Sequence, residues 1–356
     1  MDLRTQQLID ELADQHSLAL DGYAYVLAHY SPEAAAYAAE RAVATRQAIY
    51  GTDVFIRGLI EVSNYCRNDC YYCGLRLSNA SCDRYRLSRS DVLACARLGY
   101  ELGFRTFVLQ SGEDPHLTDE FVCDIIETVK GEFPDSAITL SLGERSHESY
   151  TALREAGADR YLLRHEAAAA DLYASLHPAR MSYDHRMACL NDLRQLGFAV
   201  GAGFMVSAPG QTTDHLATDL QFIEQFKPEM CGLGPFVPHH ATPYANEPAG
   251  TLELTCYLLS LVRLIHPAVL LPATTALGTI DPMGREKGIL AGANVVMPNL
   301  SPADARAKYE LYNNKAHTGV ESAEGLAELD KRLQAIGYHL VVDRGDPRPA
   351  DNESAT

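Results

Sequence analysis

Three cysteines fall within one short stretch, Cys66-Arg-Asn-Asp-Cys70-Tyr-Tyr-Cys73, and thiols packed this closely point to metal binding. The C-x3-C-x2-C spacing lets one loop cover three corners of a cubane iron–sulfur cluster, which ordinarily takes four thiolates. Three thiolates leave one iron open to a different ligand. The competing chemistry is a structural zinc site with Cys82 as fourth ligand. Zinc sites usually pair two cysteine knuckles, and no second knuckle is found here. Cys95, Cys123, Cys189, Cys231 and Cys256 stand singly in apolar or helical surroundings, as small hydrophobes do.

Other residues could complete a pocket beside that loop. Gln110-Ser111-Gly112-Glu113 follows an apolar run; small residues there admit a ligand close to the backbone, and a carboxylate can pair with an ammonium group. Taken alone, Ser-Gly-Glu-Asp is also a common turn. Arg164 and Glu166, two residues apart at the end of another run, share one face of an extended chain. They could meet ribose hydroxyls or a cation, or simply pair with each other. The glycines of Ala199–Gly210 suit either a bulky ligand or a crowded strand–helix junction.

These residues need a scaffold. Apolar runs recur at 54–62, 106–110, 137–142, 160–163, 199–206, 230–233, 268–271 and 294–297. Amphipathic stretches separate many of them, including 90–102, 118–133, 183–196, 212–226 and 252–265. Eight strand-plus-helix units predict an α/β fold, a parallel (β/α)8 TIM barrel over 51–315, with a doubly wound open sheet as the rival. The cysteine loop then follows the first strand, at the C-terminal mouth where barrel enzymes place their chemistry. Residues 1–50 read as a helical extension, with Ser31-Pro32 as a helix start. Residues 316–356 form a C-terminal extension whose end, from 344, is polar enough to predict a disordered tail.

Composition narrows the function. A net charge of -17 argues against nucleic-acid binding, which needs cations to displace counterions from phosphates. No apolar run approaches the length of a membrane span, and the first residues lack a signal-peptide pattern. A cytoplasmic protein is therefore expected, and an odd count of nine cysteines there does not suggest disulfides.

The cysteine loop resembles the radical S-adenosylmethionine (SAM) superfamily. The resemblance extends over roughly 50–315 through R-G-L-I-E-V-S-N-x-C-x3-C-x-Y-C-G-L-R, L-L-R-H-E, L-H-P, G-A-G-F-M-V, G-P-F-V-P-H, T-P-Y-A-N-E and P-A-T-T-A-L-G-T-I-D-P. With Gly288–Asn299 and Tyr309-Glu-Leu-Tyr312, these motifs resemble the HydE family of [FeFe]-hydrogenase maturases, relatives of biotin synthase and methylornithine synthase. The resemblance implies a [4Fe-4S] cluster on Cys66, Cys70 and Cys73, with the SAM amino and carboxylate groups on the open iron. It implies that Tyr72 lies near the adenine, and that Ser111, Gly112 and Glu113, with Gln110 alongside, hold the methionine amino group. Thr139, Glu166, Arg186, Met205 and Tyr309 would contact SAM as well. Arg57, Thr274 and Thr275 would bind anionic groups at the far end of an enclosed cavity, with Arg164 also facing substrate.

The implied substrate is a small cysteine-containing iron complex bearing CO and CN. An electron donor, and other maturation proteins, are the implied partners. Some family members hold a second cluster on cysteines beyond the last tyrosines; none occur here, so a single cluster is expected. A methylornithine-synthase-like lysine mutase and a non-catalytic metal scaffold are the alternatives.

Overall fold

The computed structural model describes residues 1–348. Three helices come first: α1 (Leu3–Gln15), α2 (Leu20–Ala28) and α3 (Pro32–Tyr50). Ser31 caps α3 by accepting from Ala34 N–H, with Pro32 in the first turn. The barrel then unrolls as β1 (Asp53–Ile56), β2 (Gly58–Ser63), α4 (Arg89–Glu101), β3 (Thr106–Ser111), α5 (Asp119–Glu132), β4 (Ala137–Ser141), α6 (His147–Glu155) and β5 (Arg160–Leu162). It continues with α7 (Ala170–Leu176), α8 (Tyr183–Gln195), β6 (Ala199–Ala202), β7 (Met205–Val206), α9 (Thr213–Phe226), β8 (Met230–Cys231), β9 (Gly234–Pro235) and α10 (Leu252–Ile265). The last elements are α11 (Thr275–Ile280), α12 (Gly284–Leu290), β10 (Val295–Val296), α13 (Ala303–Lys308), α14 (Leu326–Gln334) and β11 (His339–Val341).

Six strands run parallel in the order β2-β3-β4-β5-β6-β8. Two further staves close the ring. Met230 bridges Leu270, Pro272 bridges Val295, and β10 pairs with β1, carrying on to a bridge between Asn299 and Leu59. The result is a closed parallel barrel. β7 and β9 extend two of its staves toward the C-terminal mouth.

Residues paired across parallel strands face the same side. Phe55, Val295, Leu270 and Met230, with Tyr50, form an apolar layer inside the lower barrel. The register Glu61–Gln110–Ser141, with Thr139 opposite Val108, turns the polar Glu61, Gln110, Ser141 and Thr139 inward above it. The alternate positions, such as Ile60, Leu109, Leu140 and Val200, join the large outer core beneath the helices.

The C-terminal segment departs from the sequence expectation as far as residue 348. After β11 pairs with β1, residues 343–348 turn beneath the barrel. Arg344 O accepts from Thr106 Oγ1 (2.7 Å) and Arg160 Nη2 (2.9 Å), and Asp346 pairs with the buried Arg160 at 2.5 Å. A composition that reads as a solvated tail here supplies a carbonyl and a carboxylate to a buried arginine that otherwise bonds only Thr106 Oγ1 (3.0 Å). The rest of the expected tail, from 349, lies outside the described residues.

Burial alone would raise the Asp346 carboxyl, but Arg344 and Arg160 outweigh it and hold it below the ordinary range. Its contribution is therefore present at neutral pH and is lost as pH falls through that lowered value. Asp346→Ala should lower the unfolding free energy by about 1–2 kcal/mol, the low end for charged hydrogen bonds because the carboxylate is half-exposed. Urea melts at pH 7 and pH 3 check this: the wild-type advantage should shrink at the lower pH.

Among the described residues no helix is long and apolar enough to cross a membrane.

Candidate active site at the C-terminal mouth

The cysteine loop leaves β2 and is tied down on several sides. Arg67 N–H donates to Glu113 O (2.9 Å), Tyr71 N–H to Leu176 O (3.0 Å) and Gly74 N–H to Leu311 O (2.8 Å). Asp69 and Arg76 pair within the loop at 2.7 Å, and Arg76 holds the Asp69 carboxyl well below its usual range. Two glycines are required by close approach. A Cβ at Gly74 would lie 2.2 Å from Glu310 O, and one at Gly112 would lie 2.3 Å from Tyr65 O and 2.7 Å from Cys66 Cβ. The end of β3 thus abuts the cysteine loop directly.

Cys66, Cys70 and Cys73 are free, partly buried thiols. Burial pushes all three up, Cys73 to about 12. Such thiols ionise readily only when a cation replaces their protons, as a cluster iron does. Cys70 Sγ also lies 3.8 Å from Met181 Sδ. Cys82 sits apart, its sulfur 3.7 Å from Asn64 Nδ2. Among the described residues no three His, Cys, Asp or Glu side chains converge tightly enough to hold a single metal ion.

The predicted pocket residues fall into two groups. The first is a polar chain. Arg67 Nε pairs with Glu113 Oε2 (3.0 Å), and Glu113 Oε1 accepts from Glu144 N–H (2.9 Å). Glu144 Oε1 in turn holds Arg186 Nε (2.6 Å), whose Nη1 donates to Arg164 O at 2.5 Å. The Glu113 carboxylate is therefore occupied by the cysteine loop, while the backbone of Gln110–Gly112 lines the mouth. Ser111 Oγ donates to Gly112 O (2.6 Å), and Gln110 Nε2 reaches Tyr309 Oη at 3.4 Å.

The second group carries buried polar atoms with no hydrogen-bond partner: Thr139 Oγ1, Arg164 Nε, Glu166 Oε2, Thr274 Oγ1, and Arg57 Nε and Nη2. Glu166 Oε2 lies 3.2 Å from Arg164 Nη2, an ion pair without hydrogen-bond alignment. Thr274 stands at the N-cap of α11 yet makes no capping bond, which leaves its hydroxyl free. Arg57 is buried and its Nη1 touches only Met230 Sδ (2.9 Å). Burial and the nearby Arg160 push its guanidinium well down. Thr275 differs from Thr274: its hydroxyl takes Arg285 Nη2 at 3.4 Å.

Glu166 also has strained backbone, with φ at +65°. The strain is held by Glu166 N–H to Gly203 O (3.0 Å) and Met205 N–H to Glu166 O (3.1 Å). Behind it the buried His165 accepts from Gly203 N–H (3.2 Å) and donates to Asp219 (3.3 Å). An apolar floor adjoins: Met205, Phe236, Ala167 and Tyr173 pack with Tyr72.

Several participants carry no local sequence signal. Glu144, His165 and Asp219 were not singled out. Neither was Glu61, whose carboxylate is capped by Lys315 (2.6 Å) and Asn299 (2.8 Å) inside the barrel wall.

Comparisons with known proteins come to bear on this site. Residues 60–223 match the Radical SAM superfamily. The [FeFe] hydrogenase maturase subunit HydE of Thermotoga maritima is 47% identical over 84% of this chain and 85% of its own. The 3-methylornithine synthase of Methanosarcina acetivorans is 28% identical over 82% of this chain and 81% of its own. The crystal structure of methylornithine synthase (PylB) superposes with a TM-score of 0.82 at 25% identity, covering 98% of this chain and 100% of that one. HydG, a maturase of the [FeFe]-hydrogenase, shares the fold with a TM-score of 0.78 at 19% identity, over 95% of this chain and 76% of that one.

Proposed function

Because this chain belongs to the HydE family of [FeFe]-hydrogenase maturases, and is a radical SAM enzyme, we propose that Cys66, Cys70 and Cys73 hold one [4Fe-4S] cluster beside a SAM pocket. The observation that carries this reading is three free thiols on one loop at the mouth of a barrel whose inward positions hold a set of buried, unpartnered polar atoms. Native proteins leave few buried polar groups unsatisfied, so a cluster of them marks a ligand. When bound, the cluster supplies the single electron that converts SAM to methionine and a 5′-deoxyadenosyl radical.

The chain's own residues bind and orient. Glu166 accepts from the ribose hydroxyls, and Thr139 and Tyr309 border the same ligand. Arg186 is held for the methionine carboxylate by Glu144, and the backbone of Gln110–Gly112 receives the amino group. Met205 and Tyr72 give the adenine an apolar bed. The closed barrel excludes water from a radical that attacks nearly anything near it.

Deeper in the barrel, Arg57 and Thr274 offer donors to an anion, with Arg164 above them. The substrate class that fits is a small anionic iron complex bearing cyanide, carbonyl and a cysteine ligand, as hydrogenase maturation requires. A lysine side chain would instead need a free carboxylate at that depth. The inward carboxylate of Glu61 is already taken by Lys315 and Asn299.

Arg57→Met should leave SAM cleavage within about twofold while turnover of the iron complex falls by about tenfold or more, the value of one charged hydrogen bond. Chromatography of 5′-deoxyadenosine against loss of the complex's infrared CO and CN bands checks it. If wild-type protein rearranges L-lysine and leaves the iron complex unchanged, the lysine-mutase reading replaces this one.

A further inference from the structure

His177 ends α7 in Leu176-His177-Pro178, a motif given no role above. Its ring is buried and wedged between two tyrosines. One face stacks on Tyr173 with centroids 4.1 Å apart, and Tyr72 meets its edge at 5.5 Å and 86°. Nδ1 lies 2.8 Å from Tyr173 O, which can only accept, so Nδ1 carries the proton. Nε2 is then the acceptor, and the Tyr72 phenol 3.2 Å away donates to it. Burial pushes His177 down to about 4, so this tautomer persists through the neutral range.

Tyr72 precedes Cys73 directly, and its neighbour Tyr71 is pinned by a backbone bond to Leu176 O (3.0 Å). Loop and helix end are thus fastened twice, once through backbone and once through the phenol. The Tyr72 ring packs in the apolar cluster that contains Met205 and Phe236. Without an acceptor at Nε2 the phenol would be left unpaired or the ring would turn.

We propose that His177 is a positioning residue: its Nε2 holds the Tyr72 phenol and sets the ring plane against which SAM lies, making the end of α7 part of the cofactor site. This rests on the reading that Tyr72 borders SAM.

Two amide substitutions separate this role from helix capping. His177→Asn keeps a donor near Tyr173 O but presents nothing at the Nε2 position. His177→Gln places a carbonyl oxygen there and gives up the Tyr173 bond. SAM affinity is measured by equilibrium dialysis of the cluster-reconstituted protein, alongside the melting temperature of each variant. His177→Asn and Tyr72→Phe should each weaken SAM binding about tenfold, equivalent to about 1.4 kcal/mol. His177→Gln should bind like wild type, and the Tyr72→Phe/His177→Asn double variant should be no worse than either single change.

Gln as weak as Asn, additive losses, or Tyr72→Phe with wild-type affinity would each overturn the proposal. Tyr72→Phe removes one oxygen from the ring, so it decides the matter even if His177→Asn does not fold. Wild-type protein that binds no SAM at all would bring down the underlying reading, a result distinct from these.

Discussion

Cys73→Ala should give a folded barrel that holds no intact [4Fe-4S] cluster and forms 5′-deoxyadenosine more than about 100-fold more slowly, since changes to outer-shell groups alone cost 10–100-fold. The three cysteines lie on one loop fixed by bonds to Glu113 O, Leu176 O and Leu311 O, none of which involves a thiol. Loss of one sulfur therefore removes a ligand without removing what shapes the loop. Two remaining cysteines leave two irons exposed, and the cluster is lost or degraded. The thiol is partly buried and strongly disposed to keep its proton, so alanine should not destabilise the apoprotein. Iron and sulfide analysis after anaerobic reconstitution, with a thermal melt of the apoprotein, separates ligand loss from misfolding. A variant that keeps both the cluster and SAM cleavage would move the ligand set elsewhere.

Glu166 should show the next largest effect. Its Oε2 is buried without a hydrogen-bond partner, and its backbone is held at φ +65° by bonds to Gly203 and Met205. Strain at a non-glycine residue persists where the surroundings over-determine it, and such residues cluster at functional sites. Glu166→Gly removes the carboxylate while relieving the backbone. It should raise the dissociation constant for SAM roughly 10- to 100-fold, as expected for losing about 1.5–3 kcal/mol of charged hydrogen bonding. Thermal stability should hold or rise, because glycine adopts this conformation freely. Glu166→Gln should fall between the two in affinity. If Glu166→Gly binds SAM normally, the carboxylate serves only Arg164, its neighbour at 3.2 Å.

Much of the frame was legible because parallel barrel strands are buried on both faces and read as unbroken apolar runs. Each of the eight runs lies on a stave of the barrel. The five long amphipathic stretches correspond to α4, α5, α8, α9 and α10. Short helices such as α7, α11 and α13 span too few turns to show a period. The segment after β11 was misleading for a different reason. Asp346 and Arg344 look solvated in their own stretch, and their partner Arg160 is nearly two hundred residues away.

The site divides in the same way. Cys66, Cys70 and Cys73 announce themselves by spacing. Arg57 and Thr139 are single residues on different staves, and Thr274 stands at the N-cap position of α11; only likeness to a family singled them out in sequence. Glu144, His177, Asp219 and Glu61 each reach a side-chain partner 42 or more residues distant in the chain, so no local pattern marks them. Their roles follow from burial and the direction of each hydrogen bond.

The central claim is an iron left without a protein ligand and open to SAM. Electron paramagnetic resonance of the reduced, reconstituted protein, before and after SAM is added, tests it most directly. A [4Fe-4S]⁺ signal that shifts on addition, with coupling to ¹⁷O when the methionine carboxylate is labelled, is the predicted result. An unchanged spectrum lacking that coupling would mean a protein side chain already fills the fourth corner, and the site would have to be assigned to another chemistry.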